Sequence, residues 1–138
     1  RDYIVYTSGY KYQLTRDYIH QLSPVLTPPT EINTVFLSIN VKGQLIIRAG
    51  YAWDGPSGPT IDTNTFIRGS LVHDALYQLI REKELPIEAR SIADNELKVI
   101  CRRDGMSRMR AWWVYTAVTR FAKGAVLPSS NKVEYRAP

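Results

Sequence analysis

The stretch Gly50–Tyr77, GYAWDGPSGPTIDTNTFIRGSLVHDALY, constrains the fold more than any other part of the chain. Its first part mixes Gly55 and Gly58 with Pro56 and Pro59. Glycine opens backbone angles closed to other residues, and proline fixes its own φ. Such a loop holds a defined, irregular path. Its second part, RGSLVHDALYQLI, has helical spacing, with Leu71, Ala75, Leu76 and Leu79 as an apolar stripe. A shaped loop therefore feeds a helix that carries His73, Asp74 and Tyr77 close together.

The flanks define the fold class. Residues 1–50 read as β-rich, with about four strands: Asp2–Thr7, a period-two run within Tyr10–His20, Glu31–Asn40 and Gln44–Ala49. Leu22–Thr30 holds three prolines and reads as a loop, and Lys42–Gly43 as a turn joining the last two strands. Three helices follow the Gly/Pro loop. The first begins at Asn64 or Arg68 and reaches Glu82. The second starts near Pro86, a residue suited to a first helical turn, and stops at Gly105. The third runs from Ser107 to Phe121. Strands first and helices after make an α+β fold. At 138 residues one domain is expected. Its parts are a β-rich segment 1–50, a loop 51–63, a helical part 64–124 and a loose tail 125–138.

Composition excludes several classes. No apolar run approaches the roughly 20 residues that span a bilayer. Cys101 is the sole cysteine, which rules out an internal disulfide and argues against a cysteine metal site. Two histidines without ligand spacing argue against zinc. His20, in a strand, is expected to be structural. The net charge of +5 comes mostly from the C-terminal half, where Arg102, Arg103, Arg108, Arg110, Arg120 and Lys123 cluster. Such a balance favours acidic partners. Phosphate and an anionic lipid or membrane surface are the candidates, and nucleic acid is not expected. The same charges also fit a solvated helical face. Of Trp112 and Trp113, one ring is expected in the core and one at the surface, where an indole suits a membrane or a partner.

His73 and Asp74 carry the chemistry. Adjacent helical residues point about 100° apart, so the two do not normally pair. They suit two tasks at one site. His73 is a candidate general base, its ordinary pKa lying near working pH. Asp74 is a candidate ligand for a hard cation, with carbonyls of the preceding loop completing an oxygen cage. Tyr77, one turn beyond His73, shares its face and is placed to support a carboxylate. The alternative is a hydrogen-bonded pair tying helix to loop.

At this point HDALY, His73–Tyr77, resembles the HDxxY helix of secreted and viral phospholipases A2. The resemblance covers about 45 residues. It implies His73 as base for an attacking water, Asp74 as calcium ligand and Tyr77 as support. It also implies a calcium-binding loop upstream, where Trp53, Gly55 and Ser57 stand at the matching offsets and Asp62 lies in a stretch acidic in that family. Asp94, in RSIADNELKVI, is the implied partner that orients His73 and pairs with Tyr77; it equally suits a surface position. Asp54 reads as a turn residue or a second cation ligand. The chain departs from that family in lacking disulfides and in its β-rich start. Over its whole length, WDGPSG followed by GSLVHDALY is similar to an uncharacterised domain family of bacteriophage and prophage genomes, which implies a virion or infected-cell setting without implying a reaction. Two readings remain open: a calcium-dependent lipid esterase, and a non-enzymatic virion-associated protein that binds other virion proteins.

Overall fold

The computed structural model describes residues 4–6, 12–53, 64–121 and 135–137. The architecture is α+β, with short antiparallel strands first and three helices after. The central sheet has four strands in the order β3 (Tyr18–Gln21), β6 (Gln44–Ile47), β5 (Leu37–Ile39), β4 (Ile32–Asn33). Two further pairs form separate sheets: β1 (Ile4–Tyr6) with β8 (Tyr135–Ala137), and β2 (Tyr12–Gln13) with β7 (Ala52–Trp53). The helices are α1 (Asn64–Arg81), α2 (Ala89–Arg103) and α3 (Arg108–Phe121).

Among the described residues the expected four strands resolve into six shorter ones, β1 to β6, and β7 is a further strand at the start of the expected loop 51–63. Glu31–Asn40 is a hairpin rather than one strand. The Thr34 hydroxyl donates to the Leu37 carbonyl at 2.9 Å and accepts from the Leu37 amide at 3.1 Å. That local bonding turns the chain and leaves Val35 exposed at the tip. The run within Tyr10–His20 is likewise broken between β2 and β3. Tail residues Tyr135–Ala137 form a strand on β1, where a loose tail was expected. The expected turn at Lys42–Gly43 is present, with Gly43 at φ +79°, and joins β5 to β6 as a hairpin.

Leu37, Ile39, Leu45 and Ile47 of the central sheet are fully buried. So are Leu76, Leu79 and Val72 of α1 and Leu97 and Ile100 of α2. Helix α1 approaches α2 closely because Gly69 has no side chain. A Cβ there would stand 2.8 Å from both Cys101 Sγ and Leu97 Cδ1. Pro86 lies just before α2, in a turn where the Ala89 amide donates to its carbonyl at 3.0 Å. The helix ends as expected at Gly105, with φ +103°. There the Met106 amide donates to the Cys101 carbonyl and the Gly105 amide to the Arg102 carbonyl, a Schellman pattern. Helix α3 buries Ala111, Val114 and Val118 and leaves both Trp112 and Trp113 largely exposed, correcting the expectation of one core ring. The small buried residues at that spacing occupy the inward stripe and turn the tryptophans outward.

Candidate active site

The site is assembled from α1, α2 and α3. On α1, His73 and Tyr77 stand four residues apart on the buried face, their ring centroids 4.2 Å apart. On α2, Asp94 points at both. His73 Nε2 lies 2.7 Å from Asp94 Oδ1, and the Tyr77 hydroxyl donates to the same oxygen at 2.6 Å. The other carboxylate oxygen accepts from the Thr119 hydroxyl of α3 at 3.2 Å. His73 is 5% exposed and Asp94 1%. A carboxylate this deeply buried is tolerated because three donors satisfy it.

This bonding fixes the imidazole. Asp94 accepts from its neighbours, so Nε2 of His73 carries the proton and donates. Nδ1 is then the free basic nitrogen of the neutral ring. It faces the Asp74 carboxylate, Oδ1 at 3.7 Å, an ion pair when the ring is protonated. The Asp74 side chain is partly exposed, so this edge of the ring is the one nearer water. Burial alone would lower the His73 pKa; Asp74 and Asp94 outweigh it and hold it above the ordinary 6.5. Burial, then the hydrogen bond to Asp94, pushes the Tyr77 phenol well above its usual value, so it remains a protonated donor. Arg90, one turn before Asp94, keeps Nη1 buried without a hydrogen-bond partner among the described residues.

Trp53 belongs to the site's frame. Its indole is buried and its Nε1 donates to the Ser70 hydroxyl at 3.0 Å; that hydroxyl donates to the Ile67 carbonyl at 2.8 Å. The strand leading into the Gly/Pro loop is thereby pinned to α1, one turn before His73. Gly55, Ser57, Asp54 and Asp62 lie outside the described residues. Among the described residues no group of three or more His, Cys, Asp or Glu side chains is arranged to hold a metal ion. The expected calcium set does not need one, because it uses a single carboxylate, Asp74, with loop carbonyls.

Of the sequence candidates, the structure brings together His73, Tyr77 and Asp94, with Asp74 at the outer edge and Trp53 at the entrance to the loop. Sequence reasoning missed Thr119 and Ser70. A threonine in the aromatic helix α3 and a serine in the apolar α1 are weak signals. It also missed Glu96, whose Oε1 meets Nε2 of the buried His20 at 3.0 Å. His20, a strand residue, thereby links the sheet to α2.

No family model, curated protein or solved structure matches the chain.

Proposed function

We propose that this is a phage- or prophage-encoded, calcium-dependent esterase acting on lipid esters, with His73 as general base. One observation carries the reading. Asp94 Oδ1 stands 2.7 Å from Nε2 of His73, which leaves Nδ1 as the basic nitrogen, beside Asp74. In the reaction Nδ1 accepts a proton from water as the water oxygen attacks the ester carbonyl carbon. Asp94 stabilises the resulting imidazolium and holds its orientation, and Tyr77 and Thr119 keep the carboxylate in place. Collapse of the tetrahedral intermediate breaks the ester C–O bond, and the imidazolium returns the proton to the leaving alkoxide. Asp74 and the carbonyls of Trp53, Gly55 and Ser57 would hold Ca²⁺, which when bound supplies positive charge for the oxyanion.

The near-complete burial of His73 and Asp94 favours a second reading, a non-enzymatic virion-associated protein in which the dyad locks α1 to α2. Hydrolysis of phospholipid vesicles, with calcium and with chelator, separates the two. The esterase reading expects calcium-dependent release of fatty acid, reduced at least about 100-fold in His73→Gln, in the range general-base loss produces. Asp94→Asn is expected to lose a similar factor. No release by folded wild-type protein would leave the second reading.

A further inference from the structure

Helices α2 and α3 enclose an open groove of about 430 Å³ that the His73 centre does not use. Val99, Ala111 and Trp112 line it together with Arg102, Arg103 and Arg108. Beside it, Met109, Trp112 and Trp113 are 82%, 61% and 44% exposed. Their spacing of i, i+3 and i+4 places them on one face of α3 as a continuous ridge. Exposed large apolar side chains gathered on one face mark a surface that meets something.

The charge around the ridge has one sign. From Leu97 to Phe121 the only acidic residue is Asp104. Its carboxylate is occupied by Arg68, 2.8 Å away. Lys98 lies over the Tyr115 ring, 4.7 Å from its centroid, and keeps its charge on the same side of the helix pair. Arg102 donates to the Met106 carbonyl and helps close the α2 terminus. Arg103 and Arg108 are exposed.

We propose that this face of α2 and α3 docks the protein on an anionic lipid surface. Indole rings prefer the boundary between headgroup and acyl chain, and arginines beside them gain from negative headgroups. A helix lying in the interface plane has this distribution, with tryptophan on one face and arginine flanking it. The ridge projects into solvent and contains a flexible methionine. That form suits insertion between lipids better than the flat stacking platforms that hold nucleic-acid bases. From the proposed function the inference takes only the expectation that the substrate sits in a lipid surface; the docking face stands apart from His73.

The test is co-sedimentation, in chelator, with phosphatidylcholine vesicles containing or lacking phosphatidylglycerol. Wild type is expected to bind only the anionic vesicles, less as salt is raised, with a blue shift of tryptophan fluorescence. Arg103→Gln and Arg108→Gln should each weaken binding roughly fivefold. Trp112→Ala with Trp113→Ala should weaken it about tenfold, as lost apolar burial predicts. These residues are exposed, and circular dichroism checks that the variants fold. His73→Gln should bind as wild type does. Binding indifferent to lipid charge, no binding, or capture of a single-stranded oligonucleotide in place of vesicles overturns the proposal. Vesicle binding in chelator, followed by no hydrolysis of the same vesicles once calcium is added, would sink the esterase reading alone. Hydrolysis of a soluble short-chain ester without vesicle binding would sink the docking face alone.

Discussion

At the scale of the residue, His73 is defined by what stands on each side of its ring. Asp94 holds Nε2 and Asp74 faces Nδ1, and together they keep its pKa above 6.5 against the opposing effect of burial. A group that binds its proton more tightly when folded stabilises the fold fully below its unfolded pKa. That stabilisation is lost as pH rises through the folded value. In chelator, the unfolding free energy should therefore fall as pH is raised from about 6.5 upward, and the slope should be shallower in Asp74→Asn. Chemical denaturation across that range checks it; a wild-type stability that climbs over the same window would contradict the assignment. The sequence made His73 and Tyr77 legible because residues four apart must share a helix face. Thr119 was not legible. It meets Asp94 across two helices, and no local spacing records such a contact.

At the scale of the element, the close contact of α1 with α2 sets the reach of Asp94 to His73. Gly69 permits that contact, since a methyl group there would press on Cys101 Sγ, Leu97 Cδ1 and, at 3.3 Å, the Leu97 carbonyl. Two effects oppose each other in Gly69→Ala. Alanine gains about 1 kcal/mol of helix propensity. Overpacking a filled core costs about 1–3 kcal/mol. Leu97 and Cys101 are both fully buried, and the Leu97 carbonyl 3.3 Å away is backbone that cannot swing aside, so overpacking should win. The variant should lose about 1 kcal/mol net, read as a lower urea midpoint, and a rise in the midpoint would show that the helices adjust freely. The helices were legible because their apolar stripes and their stops, such as Gly105, extend over many residues. The strands were less so. Elements of two to four residues are too short to display period two, and the Thr34 hydroxyl bonding that splits β4 from β5 is a local turn without a Gly or Pro to mark it.

At the scale of the whole molecule, the β-rich part serves the helical site through a few polar ties set in an apolar core. Trp53 to Ser70 pins the loop entrance to α1, and His20 to Glu96 pins β3 to α2. Arg68 of α1 spans Tyr18 of β3, at 2.9 Å, and Asp104 beyond α2, at 2.8 Å. The order of strands, loop and helices was legible in the sequence; these ties were not, because each joins residues far apart in the chain. The proposed function requires Asp74 to hold a calcium ion beside a base oriented by Asp94. Calcium titration by calorimetry on wild type and Asp74→Asn tests it most directly. Saturable binding at millimolar calcium or below, lost in the variant, is the predicted result. No heat of binding in wild type at millimolar calcium, or equal binding by Asp74→Asn, would contradict it.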